Sequence, residues 1–219
     1  MTWTPDDEKK LRNLLIEINP KYHHEIGRGF FWLQMPSRAS RFYMRETMAW
    51  LTDEYSHQSK RSKVLCYGCG VGTFMLYLWH HGFTDVEGCD ANLREVETAR
   101  KILGNFGCPF QVKHVKREDI YNINGQYDII TFFDFLYAYE DDVHRILANA
   151  ENSLRKDGLL IFDLFEFEKE ISRRVTTKRS YYSEGEMRWL ASSLGYVIDL
   201  SIAYEAENRK IMYVFRKVS

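Results

Sequence analysis

Three glycines at alternate positions, Gly68, Gly70 and Gly72, follow the apolar run Val64-Leu65-Cys66-Tyr67, and Asp90 closes a second run, Val86-Glu87-Gly88-Cys89. Glycines in this pattern let the backbone turn tightly and bring N–H groups close to a ligand. A carboxylate about 20 residues further on is placed to accept hydrogen bonds from a ribose. The chemistry on offer is therefore the holding of a nucleoside. The spacing also chooses between cofactors: a dinucleotide turn is G-x-G-x-x-G, but Thr73 occupies its last position, and the pattern here is G-x-G-x-G.

A strand, a turn, a helix and a second strand must carry these groups. Val64 to Tyr67 reads as a buried parallel strand. The apolar residues Phe74, Leu76, Tyr77, Leu78 and Trp79 read as a helix from Thr73 that Gly82 stops. Asp85 to Cys89 is the second strand. Beyond Asp90 helix and strand alternate as in a doubly wound sheet: helix Asn92 to Asn105, strand Phe110 to Val115, strand Tyr127 to Phe133, helix Glu140 to Leu154, a turn at Asp157-Gly158 and strand Leu159 to Phe165. Ser183 and Glu186 form a capping box for a helix that Gly195 ends. The alternating runs Val197 to Tyr204 and Lys210 to Arg216 read as a hairpin joined around Glu205 to Arg209.

The first sixty residues are different. Thr4-Pro5-Asp6-Asp7-Glu8 opens a helix whose Leu11, Leu14, Leu15 and Ile18 share a face, and Asn19-Pro20 ends it. Tyr22 to Trp32 mixes aromatics, two histidines and two glycines, which suits a binding loop and equally an aromatic plug over one end of the sheet. A second helix is expected from about Ser40 to Tyr55, before the polar linker Ser56 to Ser62.

Composition excludes several classes of function. The chain has 219 residues and a formal net charge of −1, and its first sixty residues balance acids and bases, so the electrostatic footprint of a nucleic-acid binder is missing. No apolar run approaches the ~20 residues of a membrane span, and the first residues lack the pattern of a signal peptide. The expected location is the cytoplasm. Cys66 and Cys69 form a C-x-x-C, but Cys66 falls in a buried strand and no second close pair exists, so both read as reduced, metal-free structural residues.

Val64-Leu65-Cys66-Tyr67-Gly68-Cys69-Gly70-Val71-Gly72 resembles the first motif of the class I S-adenosylmethionine-dependent methyltransferases, apolar-Leu-acidic-x-Gly-Cys-Gly-x-Gly, with Cys66 where the family most often has an acid. The resemblance covers about residues 60 to 219. It implies an α/β fold: a doubly wound, mostly parallel seven-stranded sheet with helices on both faces. Residues 1–60 would be an N-terminal helical cap and 61–219 the cofactor domain. It implies S-adenosylmethionine as cofactor and S-adenosylhomocysteine as product. Tyr67, Gly68, Cys69, Gly70, Gly72, Asp90, Ala91 and Phe133 would hold the cofactor, Asp119 would accept from the adenine amino group, and Ile120 would pack on the ring.

Ligands of open α/β sheets bind outside the carboxyl ends of the strands, so the segment Asp134 to Tyr139 is expected to face the transferred methyl. Small-molecule relatives often have a His where Ala138 stands. Tyr137, Asp134 and His24 are the candidates to take a proton from the acceptor, and Tyr22, His23, Arg28 and Tyr139 the candidates to bind it. The expected acceptor is a small molecule, taken by a monomer or homodimer. A protein, glycan or RNA acceptor, or cofactor binding without turnover, are the alternatives.

Overall fold

The computed structural model describes residues 4–18, 59–133, 135–136, 139, 142–166, 181–203 and 210–218. The expected helix at residues 40–55 and the hairpin turn at 205–209 lie outside them. The chain forms two compact units, with the division at Lys116 and Arg117.

The first unit contains α1 (Pro5–Ile18), β1 (Lys63–Tyr67), α2 (Thr73–His80), β2 (Asp85–Asp90), α3 (Leu93–Asn105) and β3 (Gln111–His114). Its strands are parallel in the order β3-β2-β1, with Cys66 opposite Gly88, Tyr67 opposite Cys89, and Asp90 opposite His114. Parallel strands joined through helices place successive strand ends at one edge, and that edge carries the glycine turn and Asp90. Across the surface of this sheet Glu87 lies diagonal to Lys63 (3.0 Å) and Lys113 (2.7 Å). Burial pushes the Glu87 carboxyl up, and the two ammonium hydrogen bonds outweigh it, leaving it below its ordinary value.

Thr4 and Asp7 cap α1 reciprocally. The Asp7 N–H donates to Thr4 Oγ1 (3.2 Å), and Asp7 Oδ2 accepts from the Thr4 N–H (3.0 Å) and hydroxyl (2.7 Å). The hydroxyl hydrogen bond holds the Asp7 carboxyl below its ordinary value. Leu11, Leu14 and Leu15 are buried as their spacing requires. Lys10 Nζ donates to Asn105 O at the end of α3 (2.6 Å), and Lys101, one turn earlier in α3, pairs with Glu17 (3.1 Å). The two contacts progress in opposite senses along the helices. Helix α1 is therefore antiparallel to α3, and its C-terminal end points toward the edge where α3 leaves β2.

The second unit begins with a 3-10 turn, Arg117–Tyr121, followed by β4 (Tyr127–Phe132), α4 (Val143–Ser153), β5 (Leu154–Glu166), β6 (Tyr181–Tyr182), α5 (Glu184–Ser193), β7 (Tyr196–Ala203) and β8 (Lys210–Lys217). The order is β4-β5-β8-β7, with β6 beside β5. Strand β4 is parallel to β5, while β8 is antiparallel to both β5 and β7. The expected hairpin pairing and the capping box of Ser183 with Glu186 are both present. Lys217 Nζ donates to the Glu151 and Leu154 carbonyls (2.9 and 3.0 Å), satisfying acceptors left open where α4 ends.

Three elements differ from the sequence reading. Helix α4 begins at Val143 instead of Glu140; the Asp142 side chain accepts from the Tyr121 hydroxyl and makes no cap. The Asp157-Gly158 turn is embedded in β5 instead of preceding it: Tyr127 faces Leu154 but Ile129 faces Leu159, and Asp157 takes a φ of 60° to absorb the extra residues. Strand β6 is too short to leave a sequence pattern.

Leu11 is fully buried in the first unit. Leu11→Ala is expected to lower the unfolding free energy by about 2–5 kcal/mol, read from the midpoint of chemical denaturation at unchanged slope.

Candidate functional site

The turn after β1 is fastened to the end of β2 by its own backbone. The Gly68 and Cys69 N–H groups both donate to Cys89 O (2.8 and 3.0 Å), and the Gly70 N–H donates to Asp90 Oδ2 (2.9 Å). The other carboxylate oxygen, Oδ1, accepts from the Asn92 N–H (2.8 Å), and Asn92 caps α3 by accepting from the Arg94 N–H (3.1 Å). The Asp90 carbonyl accepts from the Val115 N–H (3.1 Å), and His114 Nε2 lies 3.1 Å from Ala91 O. Asp90 thus joins the glycine turn, the start of α3 and the end of β3. Each carboxylate oxygen accepts one backbone N–H and retains acceptor capacity for a ligand hydroxyl.

The glycines divide the work. A Cβ on Gly70 (φ 52°) would meet nothing within 4 Å, so the turn opens there onto free space beside Asp90. A Cβ on Gly72 (φ 79°) would stand 3.1 Å from Ala99 Cβ and 3.5 Å from its Cα; this glycine lets α3 pack on the turn. Gly88, which the sequence reading treated only as part of a strand, has a comparable role. A Cβ there would collide with Met75 Sδ and stand 3.1 Å from Cys69 Sγ. A glycine inside a strand pattern is the signal that could have pointed to it.

Cys66 and Cys89 are buried, Cys69 is half-buried, and all four cysteines are free thiols. Burial above all, then the neighbouring Cys66 and Asp90, pushes the Cys69 and Cys89 thiols well up. Groups held as thiols are poor nucleophiles and poor metal ligands. Among the described residues no three His, Cys, Asp or Glu side chains are grouped to hold a metal.

In the second unit Asp119 is exposed on the Arg117–Tyr121 turn, while Ile120 is fully buried and its carbonyl accepts from Asn149 Nδ2 (2.7 Å). Phe133 is half-buried just after β4. The Tyr139 ring is hemmed by Phe135 (5.0 Å between centroids), Tyr121 (6.5 Å) and the Arg117 guanidinium (5.0 Å to the ring centre), which makes it part of the packing of its own loop. Asp163 is the one fully buried charged side chain among the described residues. An acid inside the apolar run Leu159 to Phe165 was its trace in the sequence. Tyr22, His23, His24, Arg28, Asp134 and Tyr137 lie outside the described residues.

A family model described as a methyltransferase domain matches residues 32–200. The chain belongs to the methyltransferase-domain family, as a class I S-adenosylmethionine-dependent member. No curated protein matches the sequence. Among solved structures, an S-adenosylmethionine-dependent methyltransferase from Clostridium acetobutylicum has a TM-score of 0.66 at 14% identity, covering 90% of this chain and 99% of its own. Magnesium protoporphyrin IX methyltransferase from Synechocystis with bound S-adenosylhomocysteine has a TM-score of 0.63 at 18% identity, covering 89% and 99%. A Methanosarcina mazei methyltransferase has 0.64 at 16%, covering 75% and 96%. These likenesses show the fold: α/β, with a mostly parallel seven-stranded sheet.

S-adenosylmethionine is the methyltransferase's cofactor. The free space at Gly70, beside a carboxylate with acceptor capacity to spare, fits the ribose-bearing part of that molecule. Gly70→Ala should cost only about 1 kcal/mol of left-handed backbone strain but weaken S-adenosylhomocysteine binding. Gly72→Ala should lower stability further, by about 1–3 kcal/mol, because Ala99 must also move. Denaturation curves and calorimetric titration distinguish the two. The raised thiols imply that Cys69 and Cys89 of the native protein react with iodoacetamide far more slowly at pH 8.5 than after unfolding, with the rate still rising above pH 9; peptide mass spectrometry reads this site by site.

Proposed function

We propose that this methyltransferase transfers its methyl group to the oxygen or nitrogen of a small-molecule acceptor held beneath the aromatic segment 22–35. The observation that carries the reading is the antiparallel docking of α1 on α3. It directs Ile18, the last residue of α1, toward the edge that bears Gly70 and Asp90. The segment 22–35 has large aromatic faces, and aromatic faces favour a sulfonium by ~0.5–2 kcal/mol. The balanced charge of the protein supports a compact acceptor over a polyanionic track, and magnesium protoporphyrin IX, the substrate named for one relative, is a small molecule. No described helix is long and apolar enough to cross a membrane; we place the protein in the cytoplasm as a monomer or homodimer.

The cofactor supplies an already activated methyl sulfonium. The protein's task is to bind, orient and keep water out, an effect worth up to ~7–11 kcal/mol in well-oriented cases. Asp90 accepts from the ribose hydroxyls. The Gly68–Gly72 turn, with Tyr67 and Ala91, holds the methionine and ribose portions, and Cys66 leaves the amino group without the carboxylate usual at that position. We assign Asp119 and Ile120 to the adenine and Phe133 to the cofactor wall. Tyr137, Asp134 or His24 takes the acceptor's proton, and Tyr22, His23, Arg28 and Tyr139 meet the acceptor itself. Because the Tyr139 ring is committed to packing, it does so through its hydroxyl.

The test is formation of S-adenosylhomocysteine, read by mass spectrometry, with a panel of small carboxylates, phenols and amines against a no-acceptor control. Turnover with one class supports the reading. Labelling confined to macromolecular fractions would transfer it to a protein, glycan or RNA acceptor, and binding without turnover on any acceptor would make the protein a cofactor-binding regulator. Asp90→Ala should leave the fold intact and weaken S-adenosylhomocysteine binding by about 1.5–3 kcal/mol, roughly 10- to 150-fold in Kd. An unchanged dissociation constant overturns the assignment of Asp90.

A further inference from the structure

Between the end of β2 and the start of α3 only Ala91 and Asn92 intervene, and both are exposed. The peptide group that joins them is held at both ends. Its N–H, on Asn92, donates to Asp90 Oδ1 (2.8 Å), and its oxygen, on Ala91, lies 3.1 Å from His114 Nε2. A carbonyl oxygen only accepts, so Nε2 carries the proton and donates. The carbonyl one residue earlier, on Asp90, accepts from the Val115 N–H (3.1 Å). Two consecutive residues at the end of β3, His114 and Val115, thus take the oxygens of two consecutive peptide groups of the link.

The sheet places His114 for this. It is the last residue of β3 and stands in register with Asp90 on the parallel neighbour, so the two side chains leave the same face at the same strand end. A peptide group is planar, so a hydrogen bond that fixes its oxygen also fixes where its N–H points. Here that N–H points at Asp90. Through one rigid peptide His114 sets the direction from which Oδ1 is held, while the Gly70 N–H holds Oδ2 (2.9 Å). The bond from His114 to the peptide and the bond from the peptide to Asp90 run in one direction, the arrangement in which each strengthens the other.

We propose that His114 is a positioning residue for cofactor binding: by holding the Ala91–Asn92 peptide it fixes the Asp90 carboxylate in the orientation that receives the ribose hydroxyls. The inference rests on the assignment of the ribose to Asp90. His114 acts on that carboxylate only through the peptide, so its effect falls on the ribose hydroxyls and spares the rest of the ligand. Without the imidazole donor the exposed peptide is free to rotate and the carboxylate to follow it. The cost of ordering both then falls on the ligand, which is the usual penalty for losing a site that is already arranged. An exposed side chain making one hydrogen bond contributes little to folding, so the loss shows in binding and not in stability.

Calorimetric titration of the full chain with S-adenosylhomocysteine and with its 2′,3′-dideoxy analogue tests this, with denaturation curves alongside. His114→Phe keeps a ring and loses the donor. It should weaken S-adenosylhomocysteine binding by roughly 3- to 10-fold, the range of one ordinary hydrogen bond. The dissociation constant of the analogue, which has no ribose hydroxyls, and the denaturation midpoint should stay close to those of the wild type. His114→Gln, which returns an amide N–H near the place of Nε2, should recover most of the lost affinity. Unchanged S-adenosylhomocysteine binding in His114→Phe, an equal loss on both ligands, or a His114→Gln variant as weak as His114→Phe overturns the proposal. A wild type that binds the analogue as tightly as S-adenosylhomocysteine overturns the assignment of the ribose to Asp90, and the proposal falls with it. That failure is read from the wild type alone and the others only from the variants, so the two are separable.

Discussion

The glycine turn of the first unit depends on one carboxylate satisfying two chain segments at once. A tight turn after a parallel strand leaves backbone N–H groups pointing away from any strand partner, and buried or half-buried donors without acceptors cost free energy. Cys89 O takes those of Gly68 and Cys69, Asp90 Oδ2 takes that of Gly70, and Asp90 Oδ1 takes that of Asn92 where α3 begins. The turn and the helix start are thereby tied to the end of β2. The carboxylate that does this still has acceptor capacity facing the space that Gly70 leaves open. In the proposed cofactor site, structure and binding would use the same group, and the ligand would meet an acceptor already in place.

The packing beneath the turn explains the C-x-x-C. Cys66 faces Gly88 across the strand pair, and Gly88 has no side chain because Met75 and Cys69 occupy the place where one would be. Sulfur atoms fill irregular gaps well, and burial keeps the thiols protonated. The motif is thus a consequence of fitting a glycine turn over a strand. It also leaves the end of β1 uncharged where relatives most often carry an acid.

The second unit solves a different problem. In the proposed reaction the residues after β4 are the ones that meet the acceptor. Here the rings of Phe132, Phe135 and Tyr139 extend the core outward, and Arg117 and Tyr121 close over the end of that run. Individually such surface contacts are weak. Together they connect residues 135 and 139 to the Arg117–Tyr121 turn.

The sequence by itself determined the features whose causes are local. The glycine turn, the strands on either side of α2, Asp90 at the end of β2, the reciprocal cap of α1 and the capping box of α5 each depend on residues a few positions apart, so propensity and spacing reveal them. Only the tertiary structure decided which glycine opens onto free space and which faces a helix, because Gly72 and Ala99 are distant in sequence. It alone showed Gly88 making room for Met75, the turn absorbed inside β5, and Asp163 fully buried. It also showed the Tyr139 ring packed against Phe135, Tyr121 and Arg117. Contacts of this kind join residues whose separation along the chain carries no period, and the physical reason for each exists only once the chain has folded.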